Sequence, residues 1–174
     1  MIEGVPDREE CLRLLKEAGC TDNVLAHCIA VEELALRIAK MAHADLELVT
    51  AGALLHDIGR SRTHGVAHAV EGGILAREFE LDIKIAYMIE RHMGAGISPE
   101  EAKKIGLPPG EYTPETLEEK IVAHSDNLVE ENGKVPVSAV VTRFKKLGYN
   151  EAADKIMALH KELSDLCGMD LDAL

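Results

Sequence analysis

The chain has 174 residues, 31 acidic and 19 basic, for a formal net charge of −12, with eight His but only three Tyr, two Phe and no Trp. One domain spanning 1–174 is expected at this length, and it buries roughly 70 % of the unfolded surface, so it stands without disulfides. The acidic balance argues against non-specific nucleic-acid binding, which needs a cationic face, and five aromatics are too few for an obvious base-stacking platform.

The apolar period is helical nearly everywhere. Asp7 with Glu10 reads as a capping box that opens a first helix, closed by Gly19. Thr21 or Asp22 opens a long second helix to about Ala42. A third runs from Asp45 to Gly59, a fourth from about Val66 to Phe79, and a fifth from Asp82 to Met93. Ser98-Pro99-Glu100-Glu101 opens a short helix that Gly106 ends. Thr113-Pro114 opens a helix to about Glu131. Two more span roughly Pro136 to Leu147 and Asn150 to Cys167. The expectation is an all-α bundle, with a core over about 23–131 and C-terminal helices over 136–167. Those last helices either complete the core or form a homodimer surface. The Gly- and Pro-rich stretch from Gly94 to Thr113 is either a lid or a plain surface connection. Cys11, Cys20, Cys28 and Cys167 form no CxxC pair. With charges throughout residues 1–20 and only short uncharged apolar runs, they fit reduced thiols in a cytoplasmic protein, away from membranes.

The run Leu54-Leu-His56-Asp57-Ile-Gly59 ends the most apolar helix. An imidazole and a carboxylate in that setting are costly unless paired or bound to a metal. Other helices offer partners. His27 shares a face with Val31, Leu34 and Ile38. His92 follows Ile85 and Ile89. Asp126 sits beside Val122 and Val129. His64 and His68 are one helical turn apart. Taken alone, each of these is more often a packed or solvated residue than a ligand. Together they match the way helical bundles gather inward His and carboxylates into metal sites.

His27, then His56-Asp57 in Leu-Leu-His-Asp-Ile-Gly, then Asp126 in Ala-His-Ser-Asp-Asn resembles the His…His-Asp…Asp signature of the HD-domain metal-dependent phosphohydrolases. The resemblance covers roughly Asn23 to Glu131. It implies an all-α bundle in which these four residues bind one divalent metal. His68-Ala-Val-Glu-Gly72 and Glu90-Arg-His92-Met-Gly94 are similar to the added elements of dinuclear members. They imply a second metal on His68, His92 and a bridging Asp57. Imidazole with carboxylate suits Fe, Mn, Co, Ni or Zn. Two such ions about 3.5–4 Å apart would supply a hydroxide from water at neutral pH for attack on phosphorus. The expected substrate is a small phosphorylated molecule, a nucleotide. The resemblance implies that Asp57 is the bridge and Arg60 the phosphate contact, and His64 is the candidate acid. The Gly-Tyr-Pro element of the cyclic-di-GMP-cleaving branch is missing. Two alternatives stay open: a non-catalytic nucleotide-binding HD module that regulates a partner, and a di-iron oxygenase.

Overall fold

A computed structural model describes residues 4–174. Its described residues form nine α-helices: α1 Arg8–Ala18, α2 Asp22–Ala42, α3 Leu46–Leu55, α4 His68–Glu78, α5 Ile83–Glu90, α6 Pro99–Lys104, α7 Leu117–Asn127, α8 Val137–Lys146 and α9 Asn150–Cys167. The all-α expectation holds. Sequence signals set most of the ends. Both capping boxes form, Asp7 with Glu10 and Ser98 with Glu101. Gly19 and Gly168 close α1 and α9 in the left-handed region, which glycine enters without steric cost.

The core is built around α3, which is buried on nearly every side. Val49, Ala51, Ala53, Leu54 and Leu55 are all fully enclosed. They meet Val31, Ala35 and Ile38 from α2, Ile85 and Ile89 from α5, and Ile121 and Val122 from α7. Each large aliphatic side chain in this cluster contributes about 1.5–3 kcal/mol by leaving water. Val137, Val140, Ile156, Leu159 and Leu163 belong to the same cluster. The C-terminal helices therefore complete the core, the first of the two expected roles.

Three differences from the sequence reading bear on function. The third helix stops at Leu55, and a 3₁₀ turn over Ile58–Ser61 follows it. His56 and Asp57 thus sit in a turn rather than in the last turn of a long helix. The helix expected over Thr113–Glu131 is shorter, from Leu117 to Asn127, because Thr116 caps it. An antiparallel hairpin, β1 Val129–Glu130 and β2 Gly133–Lys134, takes over the remaining length. The Gly94–Thr113 stretch is ordered around α6. Ala102, Leu107 and Tyr112 form a satellite core against Ala67 and Val70. It supports the segment that leads into α4.

Candidate metal centre

Asp57 adopts φ −99 and ψ 12, the sparsely allowed bridge region that many active-site residues occupy. The turn aims His56 and Asp57 at one point. His27 reaches that point from the first turns of α2, and Asp126 from the end of α7. His68 is the first residue of α4, and His92 lies two residues beyond α5. Two glycines make the approach of α4 and α5 feasible. A Cβ on Gly59 would lie 1.9 Å from the His68 carbonyl oxygen, and one on Gly72 would lie 2.5 Å from the Ile89 side chain. The glycine of the His-Asp-Ile-Gly run is therefore a packing requirement of the site.

The six expected ligands come together. His27 Nε2 is 2.9 Å from Asp126 Oδ1, and His56 Nε2 is 3.4 Å from the same oxygen. Asp57 Oδ2 lies 3.7 Å from His56 Nε2 and 3.9 Å from His27 Nε2. The other Asp57 oxygen, Oδ1, lies 3.1 Å from His68 Nε2 and 3.6 Å from His92 Nε2. Asp57 thus faces His27 and His56 with one oxygen, and His68 and His92 with the other. Arg60 Nε donates to Asp57 Oδ2 at 2.6 Å. His64 is exposed in the loop before α4, outside these groups. Arg62 is paired on the surface with Glu71 and Glu78.

The residues fit a metal because of where their protons must be. Each of the four imidazoles has Nδ1 against a backbone carbonyl: His27 on Glu131 at 2.7 Å, His56 on Ala53 at 2.7 Å, His68 on Gly65 at 2.8 Å and His92 on Ile89 at 2.6 Å. A carbonyl only accepts, so every Nδ1 carries the hydrogen. In the neutral rings every Nε2 lone pair then faces the centre. Metal-ligating histidines are held in this same way. His56 Nε2 and Asp57 Oδ1 are fully buried and make no hydrogen bond of acceptable geometry.

The electrostatics show a demand for positive charge at the same place, which a proton on His56 Nε2 also answers. Burial opposes ionisation of Asp57, but His56, His68 and His92 hold its carboxyl well below the usual range. Asp126 is likewise held well down, with burial opposed by His56 and His27. Burial also works against a proton on His56, yet Asp57 and Asp126 outweigh it and push the group up to about 9. Burial pushes His92 down to about 4, and His56 adds to that shift. Two ionised carboxylates therefore share a buried site and call for positive charge.

One side of the cluster opens into a cavity of about 500 Å³. Its wall comprises Asn23, Val24, Ala26 and His27 of α2, Asp57 and Arg60, and Glu131 and Asn132 of the hairpin turn. His64 and the Gly94–Thr113 stretch are not among the residues that line it. The sequence reading missed the turn. Asn132-Gly133 is a common hairpin dipeptide, but here the two-residue turn is Glu131-Asn132 and Gly133 already belongs to β2, so the dipeptide does not mark it.

A profile of the HD domain matches residues 24–131. The chain is 47% identical over 173 residues to a tRNA (cytidine(56)-2'-O)-methyltransferase of Thermoplasma volcanium, covering 99% of this chain and 51% of that protein. It is 48% identical over 165 residues to an uncharacterized protein of Methanocaldococcus jannaschii, covering 91% and 97% respectively. The chain spans about half the length of its methyltransferase relatives, 51% and 50%. The crystal structure of the HD domain of the L. monocytogenes phosphodiesterase PgpH in complex with cyclic-di-AMP superposes with a TM-score of 0.64. That match has 15% identity and covers 94% of each chain. At that identity the likeness is one of fold.

Proposed function

The chain belongs to the HD-domain family, and from that premise we propose that it is a metal-dependent phosphohydrolase acting on a small nucleotide-like substrate with one reacting phosphate. The observation that carries this reading is that His27, His56, Asp57, His68, His92 and Asp126 fall into three overlapping groups whose ligand-type atoms lie within 4.8 Å of one another. His27, His56, Asp57 and Asp126 would hold one divalent ion, and His68, His92 and the shared Asp57 a second. Bound there, the ions would supply a nucleophile from water at neutral pH and neutralise phosphate oxygens.

The protein's own groups do the rest. Asp57 fixes the separation of the two half-sites through its two oxygens. Arg60 uses Nε on Asp57 and keeps its terminal amines for a phosphate in the cavity. Arg60 and Glu131 are the charged wall residues outside the six ligands, and their charges cancel. The wall therefore favours a substrate whose charge is confined to the reacting phosphate, over a polyphosphate with further charge to neutralise. Asn23 and Asn132 offer neutral hydrogen bonds to a sugar or base. The complex of the L. monocytogenes phosphodiesterase domain with cyclic-di-AMP supports a nucleotide occupant.

A second reading has its own observation. Two relatives are about twice as long and are named for methylation of tRNA. In such proteins a domain of this kind would serve a larger activity by binding a nucleotide without cleaving it. One assay separates the readings. Protein reconstituted with Mn, Fe, Co, Ni or Zn is incubated with mononucleotides, cyclic dinucleotides and nucleoside triphosphates, and phosphate or nucleotide release is followed. Metal-dependent release from monophosphates or phosphodiesters supports hydrolysis. Tight nucleotide binding without release supports the regulatory module. No metal uptake overturns the hydrolase reading, and no nucleotide binding overturns the regulatory one.

A further inference from the structure

The four imidazoles are not held alike. His56, His68 and His92 each give Nδ1–H to the carbonyl three residues earlier in their own segment. Those three hydrogen bonds form wherever the local backbone forms. His27 gives its Nδ1–H to Glu131, 104 residues away, on the exposed turn of the hairpin. One ligand alone therefore owes its orientation to a remote element.

That element has an unusual conformation. Glu131 sits at φ +54, a region that costs any side chain bearing a Cβ. The surroundings hold it there. Val135 N–H donates to Leu128 O at 2.8 Å, Lys134 Nζ donates to the Asp172 carbonyl at 2.8 Å, and Glu130 pairs with Arg143. The hairpin is thus tied to α8 and to the C-terminal residues at its base, while its tip carries the carbonyl that His27 needs. The same tip walls the cavity beside the ligands.

We propose that Glu131 is a positioning residue of the metal centre: its left-handed backbone presents the carbonyl that orients His27, so the His27 half-site depends on the hairpin whereas the His68–His92 half-site does not. This rests on the metal reading given above. The side chain of Glu131 is not required for the hydrogen bond. Loss of the carbonyl's position is what matters, and partners behind metal-ligating histidines typically set affinity within about 10–100-fold.

The test is Co²⁺ titration of metal-free full-length protein, followed by absorption spectroscopy. Glu131→Gly keeps both the carbonyl and the positive φ, so its affinities should stay within about threefold of the parent's. Glu131→Pro cannot adopt that φ. It should weaken one of two Co²⁺ sites by about 10–100-fold and change that site's spectrum, with the other site intact. Equal binding by Glu131→Pro and the parent overturns the inference alone. No Co²⁺ uptake by the parent overturns the metal reading with it. Should Glu131→Pro fail to fold, nitrogen-15 NMR of the Zn²⁺-loaded parent decides. The inference requires a slowly exchanging proton on Nδ1 of His27, and metal-bound or unprotonated Nδ1 refutes it.

Discussion

His68 and His92 meet at 3.1 Å, Nε2 to Nε2, and His124 and His160 meet at 2.9 Å, Nε2 to Nδ1. The second pair is a self-sufficient relay. His160 Nε2 lies 3.0 Å from Asp170 Oδ1, so it carries a hydrogen. His160 Nδ1 is then free to accept from His124 Nε2–H. Burial, with His160 beside it, pushes His124 down to about 3, which keeps the ring neutral as the relay requires. With both rings neutral, the first pair has no such solution. Both Nδ1 atoms are already donors to carbonyls, so the two Nε2 lone pairs face each other. A proton on His92 is disfavoured by burial, which takes that group down to about 4. A cation held by the two lone pairs and by Asp57 Oδ1, 3.1 Å from His68 Nε2, suits this pair. Two buried imidazole contacts of nearly equal length thus have opposite chemistry, and the tautomer imposed from behind each ring makes the difference.

The largest effect should come from the residue that binds the first pair to the rest of the site. Asp57→Ala removes both oxygens that link the half-sites and leaves four imidazoles without their shared carboxylate. Metal content should fall from about two per chain to a trace, measured by elemental analysis after reconstitution. Any phosphohydrolase turnover should drop more than about 10³-fold, on the order of 4 kcal/mol of transition-state stabilisation. Retained turnover would end the two-ion reading of this centre. His92→Ala is the next step down. It removes half of the first pair and leaves His27, His56 and Asp126 in place, so content should move from two toward one. Unchanged content would mean that the pair holds no ion of its own.

The two pairs were not equally visible in the sequence. His68 and His92 stood out because each falls beside a signal with a physical cause: Gly72 one turn after the first, and the apolar Ile85–Ile89 stripe before the second. His124 and His160 carry no such signal, and their pairing needs the packing of α9 against α7, which no local pattern encodes. The helices were legible for the same reason as the ligands. Caps such as Thr21, Asp45 and Ser98 act within one turn, and their residue types report them directly. The break at Leu55, the 3₁₀ turn and the hairpin tip were not legible. Each is set by contacts across the fold: Gly59 against the His68 carbonyl, and His27 against the Glu131 carbonyl. The candidate ligands were therefore readable as a set, while the elements that aim them were not.

The smallest effect should fall on the relay, and its sign in two assays is what separates the pairs. His124→Leu removes the donor to His160 Nδ1 and leaves a buried acceptor unpaired, a cost of about 1–3 kcal/mol. It also removes His124 Nδ1, a buried nitrogen that already has no partner. That second change offsets part of the first, so the net loss in urea unfolding should sit near the lower end, about 1 kcal/mol. Metal content should not change, because neither His124 nor His160 points at the carboxylates of the centre. Added Mn²⁺ or Co²⁺ should still raise the unfolding midpoint of His124→Leu by the same amount as the parent, since binding to the folded state alone stabilises by mass action. A His124→Leu protein that loses metal as His92→Ala does would show that the relay supports the centre through Asp126, two residues along α7, and the separation drawn between the pairs would fail.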